Sequence, residues 1–269
     1  MGKRIVTGVL WAIYLVAVII FGGWPYWITV GGLMLIGTHE IQSVFKSANY
    51  RIVEWPGFVI SALLVPAMLW KGAMGMLIVF CLGFVVALAW QVFHMEDTMG
   101  DLTGTAFGLF YPAMPLGFLA LLMRFEPEPM GKIMVILVLA CTFIGDTFAY
   151  FAGRAFGRHK LCPKVSPKKT VEGFIGGFAG SILAGIATAL VVEHLFHVPV
   201  SMLYFVLTGI LCGIAGPLGD LSASVIKRKL GVKDFGNFLP GHGGIIDRFD
   251  GVLFTAPMTW MLWTLFLGA

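Results

Sequence analysis

Charged residues are scarce in this chain: 12% of its 269 residues are Asp, Glu, Lys or Arg, whereas 58% are hydrophobic. Soluble domains carry roughly 25% charged residues, so the composition excludes an ordinary soluble protein. Four cysteines without a CxxC pair indicate neither a disulfide framework nor a zinc site. The net charge of +4 is modest and does not indicate a nucleic-acid partner.

Long apolar runs are what the sequence has in excess. A helix needs about 20 apolar residues to cross the hydrocarbon core of a bilayer. Nine runs are candidates, and the second is short enough to be re-entrant instead. They are 5–21, 24–36, 55–70, 74–93, 102–123, 134–151, 173–192, 198–218 and 251–267. The pattern predicts an all-α, polytopic integral membrane protein with about nine transmembrane helices.

Basic residues predict which side of the membrane each loop faces. With a cytoplasmic amino terminus, nine crossings place loops 38–54, 94–101, 153–172 and 219–250 inside. Of the 18 Lys and Arg residues, all but three then lie inside, as the positive-inside rule requires. A secretory signal would also begin with a basic stretch, but the residues after the first run lack a small-x-small cleavage pattern. We therefore predict a cytoplasmic amino terminus.

Ionisable residues are spread unevenly along the chain. The first five runs contain almost none, whereas the charges after Asp146 crowd into two loops. We expect a single membrane domain over 1–269, in which 1–130 is mainly scaffold and 131–269 carries the chemistry. Residues 39–54 alternate charged and apolar side chains, which suits a helix along the inner interface or an ordinary connecting helix.

The first polar constellation begins at Asp146. An ionisable group near the end of a membrane helix is costly unless it is paired or functional, so Asp146 is a metal or substrate ligand or a salt-bridge partner. Ser166 and Pro167 predict a helix start. Lys168 and Lys169 would then occupy its first turn, where positive charge is unfavourable. A bound phosphate would explain both lysines, and positive-inside retention is the alternative.

The second constellation is carboxylate-rich. Residues 213–220 contain three glycines and Pro217, which predict a break in the eighth helix beside a cavity. Asp220 at the broken end would point into that cavity. Asp247 and Asp250 follow at the next helix start, and three carboxylates suit a hard cation such as Mg²⁺. Alternatively, these aspartates cap helices and pair with neighbouring cations.

Residues 222–251 form the segment richest in charge and glycine, SASVIKRKLGVKDFGNFLPGHGGIIDRFDG. Its cations, carboxylates and close-approaching glycine backbone indicate phosphate and metal binding. With its Ser-x-x-Lys-Arg, Lys-Asp and Pro-Gly-His-Gly-Gly-x-x-Asp-Arg-x-Asp elements, it resembles the signature of phosphatidate cytidylyltransferases, the CDP-diacylglycerol synthases of membranes. The Ser-Pro-Lys-Lys-Thr-x-Glu-Gly run before the seventh helix resembles the same family. The resemblance is specific over 146–172 and 222–251 and general elsewhere.

This resemblance implies transfer of a cytidylyl group from CTP to phosphatidate, which yields CDP-diacylglycerol and pyrophosphate. The lipid phosphate would attack the CTP α-phosphorus in line, and it is already a nucleophile. Catalysis would then rest on charge neutralisation and positioning. The resemblance also implies Mg²⁺ with room for a second cation, CTP from the cytoplasm, phosphatidate from the inner leaflet, a homodimer, and a place in the cytoplasmic membrane.

The expected roles follow from the two constellations and the resemblance. Metal ligands are expected to be Asp146, Asp220, Asp247 and Asp250. Catalytic roles are assigned to Asp220, Asp247, Lys168, Lys227 and Arg248. Nucleotide contacts are assigned to Lys169, Ser224, Arg228, Lys233, Asp234, Gly241, His242, Gly243 and Gly244.

Other functions remain open at this point. A CTP-dependent polyprenol-type lipid kinase would need a base, either a carboxylate or His242. A CDP-archaeol-type synthase would differ in its lipid. A transporter also places charges in broken helices, but it would have pseudo-symmetric halves, whereas the charges here lie in one half. The Asp-x-x-Asp-Gly-x-x-Ala-Arg motif of CDP-alcohol phosphotransferases is missing.

Overall fold

The computed structural model describes residues 2–93, 98–238 and 243–267, with the side chains of 2–7 and 266–267 excluded. Within these ranges the chain forms ten α-helices and one two-stranded antiparallel sheet. The chain divides into two compact units. The first unit comprises Met1–Leu121 and Lys227–Phe249, and the second comprises Leu122–Ile226 and Asp250–Ala269.

The first unit is built mainly from the amino-terminal helices. They are α1 (Gly2–Phe21), α2 (Gly23–Ser47), α3 (Trp55–Val92), α4 (Met99–Phe110) and α5 (Ala113–Met123), whose last residues pass the division. The short helix α9 (Ile246–Phe249) also belongs to this unit. The residues after Ile226 that sequence analysis grouped with the carboxy-terminal half thus fold with the amino-terminal helices.

The second unit contains the remaining elements. They are α6 (Met130–Phe156), β1 (Lys160–Cys162), β2 (Ser166–Thr170), α7 (Val171–Phe196), α8 (Met202–Lys229) and α10 (Val252–Leu267). Helix α8 runs from this unit past the division at its last turn.

Helix α3 is a helical hairpin. Gly72 has φ 58° and ψ −137°, a conformation that favours glycine and reverses the chain. The rings of Trp55 and Trp90, at opposite ends of the helix, are 5.8 Å apart. The arms cross closely at Gly83, where an added Cβ would lie 2.6 Å from a side-chain carbon of Ile60. The apolar runs 55–70 and 74–93 are therefore the two arms of α3.

The all-α membrane class is confirmed, apart from the small sheet. Most residues of each of the nine apolar runs are helical, although 111–112 and 198–201 are not. Among the residues that the structure describes, five helical stretches are long and apolar enough to cross a membrane: Trp55–Val92, Met99–Met123, Met130–Phe156, Val171–Phe196 and Met202–Lys229. Large apolar side chains on these stretches are exposed, as lipid contact requires, for example Leu82 at 62%. Nine crossings and a cytoplasmic amino terminus stay predictions.

The prediction of a separate helix over 39–54 was wrong. Residues 39–47 continue α2, and residues 48–54 are not helical. Thr38, which directly precedes this stretch, and Gln42 within it find hydrogen-bond partners inside the first unit. Thr38 Oγ1 lies 2.8 Å from Ser61 Oγ, and Gln42 Nε2 donates to the carbonyl of Glu54 at 3.0 Å.

The predicted break in α8 was also wrong, because α8 continues through Pro217. Its glycines bring neighbouring segments close instead of ending the helix. A Cβ at Gly209 would lie 2.8 Å from Ile182 Cα, and one at Gly213 would lie 3.1 Å from Phe178 Cα. A proline inside a membrane helix is tolerated where neighbours compensate for the missing backbone bond.

Small residues pack α7 against α6. Gly173, Gly177 and Ser181 lie on one buried face of α7 at intervals of four residues. A Cβ at Gly177 would lie 3.0 Å from the carbonyl oxygen of Gly145, and Ser181 Oγ donates to the carbonyl of Cys141 at 2.9 Å. Such close approach is how helices associate without large apolar side chains between them.

Candidate active site

The start of α7 differs from the sequence prediction. Ser166 is not a helix cap: it begins strand β2, which pairs with β1, and Thr170 is the N-cap instead. The Thr170 hydroxyl accepts a hydrogen bond from Gly173 N at 3.1 Å. Thr170 has an extended backbone, as N-caps do, and its oxygen serves an otherwise free helix N–H.

Lys168 and Lys169 consequently lie on a strand, not in a helix turn. Neighbouring side chains on a strand point to opposite faces, so the two lysines do not share one phosphate as a helix turn would allow. Lys168 is exposed, whereas Lys169 is partly buried.

Lys169 links β2 to α8 inside the second unit. Its Nζ lies 2.6 Å from Asp220 Oδ2 and donates to the carbonyl of Pro217 at 3.4 Å. The Ser224 hydroxyl donates to Asp220 Oδ1 at 3.4 Å, one turn along the same helix. Asp146, on α6, lies close enough to Asp220 and Lys169 for both charges to act on its carboxylate. Three elements thus bring two carboxylates and one ammonium together.

The carboxylates of Asp146 and Asp220 match the number of protein ligands that a magnesium ion commonly has. Mg²⁺ is commonly held by one or two protein carboxylates together with water and substrate phosphates. Asp146 and Asp220 supply two carboxylates in the second unit. Across the described ranges, no group of three or more His, Cys, Asp or Glu side chains is placed to hold a metal. The residues therefore fit a cation that completes its shell with water and phosphate, and not an all-protein cage.

Asp250 belongs to the second unit and lies near Asp220 through its backbone. A Cβ at Gly219 would lie 3.2 Å from the carbonyl carbon of Asp250, and Asp250 Oδ1 accepts from Gly251 N at 2.8 Å.

A second cluster, in the first unit, centres on Asp247. Its Oδ1 accepts from Lys227 Nζ at 2.7 Å, and its side chain is only 4% exposed. Its Oδ2 accepts from the backbone N–H groups of Phe235 and Gly244, at 2.8 and 3.0 Å. The Lys227 ammonium also lies 5.3 Å from the centre of the Phe235 ring. Asp247 therefore has an ion-pair partner and holds in place the backbone of residues 222–251, which we call the signature segment.

Glu40 supports the same segment from α2. It is 4% exposed and accepts from Ile245 N and Ile246 N at 2.9 and 3.0 Å. Burial raises the pKa of Glu40 above its usual value, and the two backbone donors oppose that shift in part. Glu40 lies outside the five stretches that could cross a membrane.

The remaining predicted site residues are distributed as follows. Gly243 lies against Asp247, since a Cβ there would be 3.0 Å from Oδ2. Five of the predicted cations and acids are exposed: Lys168, Arg228, Lys233, Asp234 and Arg248. Gly241 and His242 lie outside the described residues.

Glu40 and Thr170 are functional or supporting residues that sequence reasoning missed. Glu40 is an acidic residue in an apolar helix with no basic residue three or four positions away, at 36, 37, 43 or 44. That isolation was a signal that its partner lies elsewhere in the chain. Thr170 precedes Glu172 and an apolar run, which is also compatible with a helix start.

The apolar helices, together with two lysine–aspartate ion pairs, define a multi-pass membrane protein that can bind charged groups. Comparison with known proteins gives the family. The profile of the cytidylyltransferase family matches residues 2–266. The chain therefore belongs to the cytidylyltransferase family, and it is a nucleotidyltransferase.

Relatives of nearly full length agree with this assignment. A phosphatidate cytidylyltransferase of Mycobacterium bovis is 33% identical, over 97% of this chain and 87% of the relative. Proteins of the same name from Synechocystis and Bacillus subtilis are each 31% identical. The matches cover 98% of this chain and 97% of the Synechocystis protein, and 99% of this chain and 98% of the Bacillus protein. The resemblance seen in the sequence is thereby confirmed.

Proposed function

We propose that the protein transfers the cytidylyl group of CTP to phosphatidate, which forms CDP-diacylglycerol and releases pyrophosphate. Membership of the family and the names of the full-length relatives support this reaction. The structural observation that carries the proposal is the cluster of Asp146 and Asp220, on the apolar helices α6 and α8, with Lys169 on strand β2. Opposite charges are gathered there in a protein that otherwise has few.

The chemistry to be performed is the approach of two negatively charged reactants. Phosphatidate ends in a phosphate monoester and CTP carries a triphosphate, so their repulsion opposes attack at the α-phosphorus. Asp146 and Asp220 would hold Mg²⁺, which supplies positive charge to phosphate oxygens when bound. Asp247 and Asp250 are proposed to act in the same reaction as further metal ligands.

The lysines act by binding phosphate oxygens. Lys169 is anchored by Asp220, so its ammonium stands ready at a fixed place when a phosphate arrives. Preorganised charge of this kind stabilises a transition state without reorganisation during the reaction. We propose that Lys168, Lys227, Arg228, Lys233 and Arg248 also bind phosphate oxygens. Ser224, Asp234 and the glycine turn are proposed to contact the nucleotide.

The attacking lipid oxygen needs no base, because the second pKa of a phosphate monoester is about 6. A kinase acting on a lipid alcohol would need one. We therefore expect turnover to depend weakly on pH above neutrality, where the lipid phosphate is ionised.

The decisive experiment uses purified protein in mixed micelles with CTP, phosphatidate and Mg²⁺. Label on the CTP α-phosphate should enter the lipid, and pyrophosphate should form in equal amount. Label that enters the lipid only from the γ-phosphate would instead show a kinase. Diacylglycerol in place of phosphatidate is the control and should give no product. Omission of Mg²⁺ should abolish turnover, and an ether-linked phosphatidate analogue tests the lipid preference.

We also propose that the protein lies in the cytoplasmic membrane as a homodimer, with its amino terminus and charged clusters facing the cytoplasm. Cys162 lies in the small sheet, in a loop predicted to be inside, and is partly exposed. A membrane-impermeant thiol reagent should therefore modify Cys162 in inverted vesicles and not in intact spheroplasts. The reverse labelling would contradict the orientation. Crosslinking in membranes tests the dimer.

A further inference from the structure

A buried carboxylate remains that the reaction scheme does not use: Glu40, in the middle of the first unit. It is 4% exposed, and its two hydrogen-bond donors, Ile245 N and Ile246 N, lie 205 and 206 positions along the chain. Among the ion pairs of the described residues, none includes Glu40. A buried carboxylate that lacks a cation is destabilising unless hydrogen bonds compensate, so its retention calls for a specific task.

The backbone of the signature segment encloses this carboxylate. A Cβ at Gly236 would lie 2.6 Å from Glu40 Oε1, and a Cβ at Gly244 would lie 2.5 Å from Oε2. Real Cβ atoms do not approach oxygen so closely, so both positions need glycine for as long as Glu40 stays in place. Glu40 is thus surrounded by backbone from both ends of the segment that runs from Gly236 to Ile246.

Glu40 and Asp247 hold the same turn. Gly244 packs against Glu40 and donates its N–H to Asp247 Oδ2 at 3.0 Å. Ile246, which donates to Glu40, directly precedes Asp247 and begins α9. Movement of the Glu40 carboxylate would therefore shift the backbone on both sides of the Asp247 side chain.

The packing of α2 does not depend on Glu40. Met34, Ile41 and Val44 are buried on the same helix, at 0%, 0% and 5% exposure. Loss of the Glu40 charge should therefore release the turn while α2 remains packed.

We propose that Glu40 is a positioning residue: it clamps the turn from Gly243 to Asp247 and thereby aims the Asp247 carboxylate and the glycine backbone at the substrates. The inference rests on the proposed function, because it gives Asp247 a part in that reaction. Misplacement of a reacting group by about 1 Å is known to cost about 10²-fold in rate. A change at Glu40 should accordingly lower the turnover number more than it lowers stability.

Glu40→Gln is the sharpest variant. Gln has the shape of Glu, but it replaces one acceptor oxygen with an NH₂ donor, which would face a backbone N–H. One of the two clamping bonds is then lost without a change of volume. Glu54→Gln is the matched control, since Glu54 lies in the same unit and its partner is the exposed Lys46, at 2.8 Å.

The experiment measures kcat, the KM for CTP, the Mg²⁺ dependence and the melting temperature of the full-length protein in mixed micelles. We expect Glu40→Gln to lower kcat at least 10-fold, with a melting temperature within a few degrees of wild type. Glu54→Gln should stay within twofold of wild type in kcat. In an Asp247→Asn background, Glu40→Gln should cost little more, because residues that act through one another are not additive.

A kcat within twofold of wild type for Glu40→Gln would overturn the inference, and so would an equal fold-loss with and without Asp247. Should Glu40→Gln fail to fold, Gly236→Ala tests the same clamp, because its methyl group displaces the turn from an intact Glu40. Normal kcat in folded Gly236→Ala protein would also overturn it. If wild type and Glu54→Gln make no CDP-diacylglycerol, the proposed function has failed, and that outcome is distinct from failure of the clamp.

Discussion

The contact between α6 and α7 at Gly145 allows a quantitative test of the fold. A Cβ at Gly145 would overlap Ser181 Oγ and lie 3.3 Å from the carbonyl oxygen of Gly177. Ser181 is 2% exposed, and its hydroxyl donates to the Cys141 carbonyl at 2.9 Å. Because the hydroxyl is buried and bonded, turning it away from an added methyl group would break its hydrogen bond to Cys141.

Gly145→Ala should therefore destabilise the protein. Overpacking costs roughly 1–3 kcal/mol, and alanine recovers about 1 kcal/mol of helix propensity relative to glycine. We expect a net loss of about 1–2 kcal/mol, because the obstructing hydroxyl is fixed. Ser181→Gly alone should also destabilise, since it removes a hydrogen bond worth about 1 kcal/mol and adds a helical glycine that costs about as much.

The double variant is the informative one. Ser181→Gly removes the overlapping Oγ and also the Cβ at 3.5 Å, which leaves the Gly177 carbonyl at 3.3 Å as the nearest contact of the new methyl group. Gly145→Ala with Ser181→Gly should be more stable than the sum of the single losses by about 1–2 kcal/mol.

Unfolding of the four proteins in mild detergent measures this coupling. Gly32→Ala is the control, because a Cβ at Gly32 meets nothing within 4 Å. That variant should be neutral or slightly stabilising. Strictly additive losses, or a Gly145→Ala protein as stable as wild type, would refute the packing of these two helices.

Three further outcomes are expected. Asp220→Asn, which removes the partner of Lys169, should lower CTP-dependent pyrophosphate release by about 10²-fold or more, and activity within twofold of wild type would contradict its role. Thr170→Ala should destabilise the protein by about 1 kcal/mol in thermal unfolding through loss of the α7 cap, whereas Thr170→Ser should not. The pKa of Glu40 in the folded protein lies above its usual value of 4.5. Below pH 4.5 the folded and the unfolded protein both bind this proton. As the pH rises from there through the folded-state pKa, the unfolded protein releases the proton first, so the free energy of unfolding falls. Melting temperature should therefore decline over this pH range, and Glu40→Gln should make that decline less steep. An unchanged slope in the variant would contradict a raised pKa for Glu40.

Much of the fold could be predicted from local patterns. Most of each apolar run is helix, because a segment in lipid must satisfy its own backbone hydrogen bonds. The small residues on one face of α7 are also visible in the sequence, since their spacing of four residues is a property of the helix itself.

Local rules failed where a neighbour from elsewhere in the fold intervened. Glycines and Pro217 in α8 suggested a break, but Gly213 admits Phe178, and Gly209 one turn earlier admits Ile182, against an intact helix. Ser166 and Pro167 suggested the start of a helix, but these residues form strand β2, which pairs with β1. In the first case tertiary packing, and in the second case pairing within a local hairpin, outweighed a propensity of about 1–3 kcal/mol.

The sequence predicted which types of residue the candidate site contains, but not which residues pair with one another. The motifs predicted that Lys169, Asp220, Lys227 and Asp247 carry the chemistry. Which lysine pairs with which aspartate became visible only with coordinates, at 2.6 Å for Lys169 and Asp220 and 2.7 Å for Lys227 and Asp247. Residue types indicate charge, but a distance between residues far apart in the chain is not encoded in any local spacing.

The apolar runs by themselves determined that this chain is a helical membrane protein, and the spelling of two motifs pointed by resemblance to phosphatidate cytidylyltransferases, because hydrophobicity and motif spelling are read residue by residue. Only the tertiary structure decided that Glu40 binds backbone groups 205 positions away, that α3 folds back at Gly72, and that the chain divides into two units. Those features depend on contacts that form when the whole chain packs, so no single segment contains them.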